Sequence, residues 1–413
     1  MINKEGTAIF IVPRASTSWK GNEAGWITAS GWAQAGKEVF GNSVVATTDG
    51  VFDYLEARNF PVIKKVDGKG NSRGSFLRNF VPEVFITLIK DIKLYLSKPK
   101  ELPIYEKVSS FPKPLNLVWQ RHDLFSPYGS DIAKKFNVPL IISVEAAVVW
   151  EAKKWGVKRP LWGKLMEYYD ETKNLKKADL VICVSEELKG KLIHMGVAKN
   201  RILVTPNRVD NNQFNTSISG TDIRKKFNLQ DNFIIGWTGS FRNFHGLDDV
   251  INAFSKVHEN NPNTRLMLVG DGQLSESLKQ LAQKLLLKDK IVFTGKVPFT
   301  EVNKYVAAFD IALVSASTSS GFHYSPLKLR EYMACGKPVI APEAGDLQKQ
   351  FINDEEILFY KSGDVKHLSD RILSLVQNID LREKLGQNSI KITEREGNWR
   401  HELNRVIAYL ENF

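Results

Sequence analysis

At 413 residues, with 43% apolar and 25% charged side chains, the chain has the material for two domains with cores of their own, and its composition excludes a disordered or collagen-like polypeptide. Its two cysteines, Cys183 and Cys335, both lie in apolar surroundings, which excludes a disulfide framework and a cysteine-based metal site. The net charge of +11 is concentrated, because residues 61–208 carry 27 Lys and Arg against 15 Asp and Glu. A basic half points to an anionic partner or surface. With no zinc finger, RNP-type aromatic motif or Arg-rich run in the sequence, nucleic acid is not expected. A membrane surface or an anionic small partner fits the charge better. The N-terminal residues lack a signal-peptide pattern, and no apolar run reaches the roughly 18 residues of a membrane span. A cytoplasmic location is therefore expected, with peripheral attachment to the inner face of a membrane as the further option.

In chain order, a strand at 7–12 is followed by a polar, Gly-containing loop at 14–25, a small-residue helix at 24–35 that Gly36 ends, and a strand at 43–47. This βαβ start implies a parallel sheet. The segment 76–96 repeats apolar residues every four positions (Phe76, Phe80, Val84, Leu88, Ile92) with Pro82 inside it and Lys and Arg around it. A helix packed on its own domain, kinked at Pro82, is the expectation; a helix lying on a membrane surface is the alternative. The alternation resumes with strands at 116–120, 139–144, 180–184 and 201–205 and helices at 129–136, 161–176 and 186–194. Polar residues 211–230 read as the connection between domains. A second alternating set follows, with strands at 233–237, 265–269, 291–294, 311–314 and 338–341, and a last helix from 399. Two doubly wound, Rossmann-like α/β domains result, 1–212 and 213–398, with ligands expected at the carboxyl ends of their strands, facing a cleft.

The most telling segment runs from Gly321 to Ala341. It reads as a loop, a helix starting near Ser325 with Pro326 at its first position, a stop at Gly336 and a buried strand. The free N–H groups of the helix's first turn can hold a phosphate, and Lys328 adds a mobile positive charge. Glu331, almost one turn on, shares a face with Lys328, and a carboxylate there suits the paired hydroxyls of a ribose. The plain alternative is an amphipathic helix with a Lys/Glu pair on its wet side. Upstream, a glycine turn with Gly239 and Ser240 after a strand, followed by Arg242, offers close backbone approach and a planar fork for phosphate oxygens. His245 is either a phosphate contact or a packing residue. In the first half, His122 follows an apolar strand, and Gly21, Asn22 and Glu23 precede a helix. Each has a plain structural reading as well.

The segment Ser325-Pro326-Leu327-Lys328-Leu329, with Glu331-Tyr332-Met333-Ala334-Cys335-Gly336-Lys337-Pro338 following, resembles the donor-site signature of family 4 glycosyltransferases, which have the GT-B fold. Ala178-Asp179-Leu180, Val184-Ser185-Glu186 and Pro206-Asn207-Arg208-Val209-Asp210 match further landmarks of that family, with Arg208 where Gly is usual. The resemblance implies transfer of a sugar from a UDP- or GDP-sugar to a glycan, a lipid-linked or another anionic acceptor, with retention of configuration and without a protein nucleophile. It implies that Gly239, Ser240, Arg242, His245, Ser325, Pro326, Leu327 and Lys328 hold the diphosphate side of the donor and Glu331 its ribose. It places His122 near the reacting sugar and acceptor, and Gly21, Asn22 and Glu23 at a phosphate or acceptor loop. It also implies that helix 399–413 crosses back to the first domain. The family's first Glu, which helps hold the donor sugar, is replaced here by His323. No Asp-x-Asp occurs, so no metal is expected, and no cofactor beyond the nucleotide-sugar. Two other readings of the same residues are a sugar-nucleotide epimerase and a catalytically silent relative that binds a nucleotide or a partner.

Overall fold

The computed structural model describes residues 5–13, 24–53, 82–317 and 325–412. The chain divides into two compact units, Met1–Pro206 with Trp399–Phe413, and Asn207–Asn398.

The first unit is built on seven strands: β1 (Gly6–Val12), β2 (Gly41–Thr47), β3 (Val51–Asp53), β4 (Leu115–Arg121), β5 (Leu140–Val144), β6 (Leu180–Cys183) and β7 (Ile202–Val204). Their order is β3-β2-β1-β4-β5-β6-β7, and all pairs are parallel except β2 with β3. The strands β1, β5 and β6 are buried along their whole length. That is why they read as unbroken apolar runs: helices cover both faces of a parallel sheet. The helix Ala24–Phe40 runs straight through Gly36 instead of stopping there. A Cβ at Gly36 would lie 2.6 Å from the Phe10 ring, so this glycine lets the helix sit close on β1. The final helix, Trp399–Glu411, packs on this unit, with Trp399 against Trp32 (ring centroids 4.8 Å apart) and Trp32 against Trp119 (4.4 Å).

Two helical segments depart from the sequence reading. The expected 161–176 helix is α over Trp162–Met166, widens to a π-helix over Glu167–Thr172, and returns to α at Lys173–Leu175. The amphipathic segment forms a helix only from Glu83 to Ser97, with Pro82 at its N-cap, so that proline begins the helix and does not kink it. Asp91 is its one buried residue: of the stripe read from sequence Val84 and Leu88 are only half-buried and Ile92 is exposed, and Phe85, Ile89 and Leu96 stand in solvent beside them, so the helix is packed less than expected. Residues 76–81 of that segment lie outside the described residues. Among the described residues no helix is long and apolar enough to cross a membrane.

The second unit carries six parallel strands: β8 (Phe233–Thr238), β9 (Thr264–Val269), β10 (Ile291–Phe293), β11 (Ile311–Leu313), β12 (Val339–Pro342) and β13 (Leu358–Tyr360), ordered β10-β9-β8-β11-β12-β13. The strand β13 and the helices Val365–Gln377 and Ile379–Glu396 extend the domain past the last strand read from sequence. The expected connection at 211–230 contains the helix Thr221–Lys226 and belongs wholly to this unit. From β8 the chain winds one way through β9 and β10, then returns to β11 and winds the other way. The carboxyl ends of β8 and β11 therefore flank a topological switch point, where open α/β sheets hold ligands.

Candidate active site

The helix Leu327–Ala334 lies against this switch point. Pro326 is its N-cap and not its first residue, so the helix begins one position later than expected, and Gly336 at φ +67° accommodates the left-handed turn after it. Tyr332 fixes the helix to the end of β8: its hydroxyl accepts from the Thr238 N–H at 2.7 Å and lies 3.0 Å from Thr238 Oγ1. Trp237 is held by its indole N–H donating to Ser315 Oγ (2.9 Å), and Ser315 donates to the His245 carbonyl (2.6 Å). These bonds place Lys328 over the Trp237 ring, with Nζ 3.6 Å from the centroid. A Cβ on Gly239 would lie 2.8 Å from that Nζ, and Gly239 has φ +140°, so only glycine suits the turn here.

Lys328 Nζ is buried and has no hydrogen-bond partner among the described residues. Burial pushes its pKa down to about 7, with Glu331 opposing the shift. Burial likewise pushes Glu331 up to about 7, with Lys328 opposing. Each thus resists being charged in a dry site. His245 is buried between Trp237 and Phe244, with ring centroids at 5.2 and 4.2 Å. Its pKa falls well below the usual value through burial, then through the nearby charges of Lys328 and Arg242. Gly239, Ser240, Arg242, His245, Lys328 and Glu331 therefore gather around one point, with Arg242 on the exposed side.

Ser325 faces another way. Its hydroxyl accepts from the Asn207 N–H (3.1 Å) and from Arg330 Nη1 (3.2 Å), and its carbonyl accepts from Asn207 Nδ2 (2.7 Å). Arg330 also donates to Glu396 (2.8 Å) and Gln350 (3.0 Å), and Arg208 donates to the same Glu396 oxygen (3.0 Å). Arg208 thus has an ion-pair partner within the second unit.

In the first unit His122 is buried at the end of β4. Its backbone N–H donates to the Ser143 carbonyl (2.7 Å), and Nε2 lies 2.9 Å from Glu171 Oε1. The Glu171 carboxylate also accepts the N–H groups of Val148 (2.7 Å) and Val149 (3.3 Å). Its neighbour Asp170 accepts the Phe125 N–H (2.7 Å). The π-turn that carries Asp170 and Glu171 has wider spacing than an α-helix, and both carboxylates hold the 122–125 loop from it. Beside them Arg121 donates twice to Glu145 Oε2 (3.2 and 3.0 Å), and Thr28 donates to Oε1 (2.7 Å). Burial would raise Glu145, but Arg121 and Thr28 hold it below the ordinary carboxylate range.

Comparison with known proteins gives the family. Residues 219–392 match the family model of glycosyl transferases group 1, and residues 111–213 match that of glycosyltransferase family 4. The chain belongs to the group 1, family 4 glycosyltransferases. Within that family it is similar to an uncharacterized glycosyltransferase of Methanocaldococcus jannaschii, 26% identical over 57% of this chain and 60% of the relative. It is also similar to the N-acetyl-alpha-D-glucosaminyl L-malate synthase of Bacillus anthracis, 24% identical over 52% of this chain and 55% of the relative. The chain thus spans little more than half the length of these curated relatives. Among solved structures, Anabaena HepE in complex with UDP and glucose superposes with a TM-score of 0.70 at 16% identity, over 99% of this chain and all of the other. Together these give the GT-B architecture of two Rossmann-like domains.

For this family 4 chain, residues 239–245 and 325–331 carried the signal that sequence reasoning used, a strand-turn-helix pattern with basic residues. Glu171, Tyr332, Arg330 and Glu396 carried none, because each acts on a partner more than 40 positions away. Gly21, Asn22, Glu23 and His323 lie outside the described residues.

Proposed function

We propose that the chain transfers a sugar from a nucleotide-activated donor to an acceptor. The observation that carries this reading is Lys328: a buried ammonium without a hydrogen-bond partner, stacked on Trp237 at the start of a helix, with Glu331 on the same face and the Gly239 turn opposite. A diphosphate would supply the missing oxygens, and the ribose would supply hydroxyls to Glu331. As the bond from sugar to phosphate breaks, negative charge grows on the leaving group. Lys328, Arg242 and the first N–H groups of helix Leu327–Ala334 would stabilise it there. That supply of positive charge supports transfer without a metal. Retention of configuration is the outcome we assign to the transfer. The complex of HepE with UDP and glucose supports a UDP-sugar as the first donor to test and a GDP-sugar as the second.

His122, held by Glu171, is assigned to the acceptor side, and the acceptor is a glycan, lipid-linked or other anionic molecule handled in the cytoplasm. His323 at the position of the family's first Glu supports one competing reading, a relative that binds the nucleotide without turnover.

The deciding experiment is thermal stability with UDP, GDP and their sugar conjugates, followed by release of nucleoside diphosphate with and without EDTA. A nucleotide at about 100 times its dissociation constant stabilises the fold by roughly 2.7 kcal/mol. Stabilisation with turnover supports transfer, and stabilisation without turnover with any acceptor supports the silent relative. No stabilisation by any nucleotide would sink both.

A further inference from the structure

Fourteen large apolar side chains are exposed among the described residues, and ten of them fall in two short stretches of the first unit. In the helix Glu83–Ser97, Phe85, Ile89, Ile92 and Leu96 are 57%, 61%, 49% and 74% exposed. Their spacing of four, three and four places them on one stripe. Asp91, the buried residue, lies on the other side of the helix. It accepts from Arg159 Nε (2.7 Å), Arg159 Nη2 (3.1 Å) and the Trp162 indole N–H (3.0 Å). That ion pair joins the helix to the second stretch, 155–169, where Trp155, Leu161, Leu165, Tyr168 and Tyr169 are exposed, Leu161 by 88%. A large apolar stripe turned to water on a folded unit calls for a partner.

Charge and composition identify which kind. Residues 82–100 and 153–169 together hold nine Lys and Arg against three Asp and Glu, and Asp91 is already neutralised by Arg159. Lys90, Lys93, Lys98, Lys158 and Lys164 are exposed within the two stretches. Lysine is depleted in protein–protein interfaces. A lipid surface, by contrast, takes apolar residues into the acyl boundary, aromatic residues at the headgroups and long basic side chains at the phosphates. We propose that the helix Glu83–Ser97 and the adjoining 155–169 stretch form a docking surface for an anionic lipid bilayer, on which the helix lies flat.

The test is flotation of the full chain with phosphatidylcholine vesicles, with and without phosphatidylglycerol, over a range of salt. The expected result is co-flotation with anionic vesicles alone, weakening as salt rises. The double variant Ile89→Glu/Leu96→Glu should lower binding at least about tenfold, and Lys90→Glu/Lys93→Glu should remove the preference for anionic lipid. Leu161→Ser, at a side chain that packs on almost nothing, gives a weaker loss without risk to folding. The inference is overturned if the chain stays unbound with anionic vesicles or if these variants float as the parent does. Self-association that Ile89→Glu/Leu96→Glu abolishes, with no flotation, would overturn it too and assign the surface to a second copy of the chain. The readout involves no sugar transfer, so its failure leaves the donor-site reading untouched.

Discussion

Buried charge is handled in opposite ways at two places in the molecule. Around Arg330, every charge is answered: Glu396 takes both Arg330 and Arg208, and Ser325 and Gln350 take the remaining guanidinium donors. His122 and Glu171 in the first unit are answered in the same way, with two backbone N–H groups completing the carboxylate. At Lys328, two residues from Arg330 and so on the opposite side of the helix, the ammonium is as dry but among the described residues has no hydrogen-bond partner, only the Trp237 face beneath it. A satisfied buried cluster holds a loop in place. An unsatisfied one costs stability in the empty protein and gains most when a ligand brings the missing groups. The contrast separates residues whose charges hold loops in place from one whose charge the described residues leave unanswered.

Breaking a satisfied cluster should have the largest effect. Glu396→Ala leaves Arg330 and Arg208 buried without their carboxylate and should cost about 3 kcal/mol in a urea titration. A loss below the scatter of surface substitutions would show that the cluster is ornamental. Lys328→Met should act in the opposite sense. Nucleotide-induced stabilisation should vanish, a loss of at least about a hundredfold in affinity, or roughly 2.7 kcal/mol, while the unliganded protein gains on the order of 1–2 kcal/mol.

The gain has a pH signature. Because the folded pKa of Lys328 lies near 7, below its unfolded value, the native state carries the full penalty at and below that pH. Above it the unfolded chain binds the extra proton, so stability recovers as pH rises towards the usual lysine value. The gain of the variant should therefore be largest at about pH 6, where Glu331 is mostly protonated, and should shrink at high pH. A gain that is flat with pH would mean that the native Lys328 is not desolvated.

Glu171→Gln sharpens the comparison from the other side. It removes the charge from the pair with His122 while keeping an acceptor for Val148, and should cost about 1–2 kcal/mol. Unchanged stability with a raised KM for acceptor would move the pair from scaffold to substrate contact. The smallest effect is expected from Gly239→Ala, which puts a Cβ against Lys328 Nζ and an L-residue at φ +140°. Nucleotide affinity measured by calorimetry should fall about tenfold, close to 1.4 kcal/mol, with the fold intact. No change would show that the turn opens away from the ligand.

Much of the second unit was legible because its cues are local. Apolar runs at β8, β9 and β12 mark strands buried on both faces, and Pro326 and Gly336 bracket their helix within ten residues. The Lys328/Glu331 spacing places both on one face without any knowledge of the rest of the fold. Gly36 was misread because a glycine that ends a helix and a glycine that lets Phe10 approach look the same in one dimension. The exposure of Phe85, Ile89 and Leu96 was missed for a related reason: periodicity shows that a helix has an apolar side but not what lies against it.

The sequence by itself determined the alternating α/β architecture, the family and the gathering of basic residues near a glycine turn, since hydrophobic period, turn chemistry and short motifs act over a few residues. Only the tertiary structure decided that the Lys328 ammonium is dry and, among the described residues, without a hydrogen-bond partner, that Ser325 is spent on Asn207 and Arg330, that His122 is clamped by a carboxylate 49 residues away, and that an apolar stripe faces water. Burial and pairing depend on which distant segments the fold brings together, and desolvation, which sets those charge states, exists only once they have met.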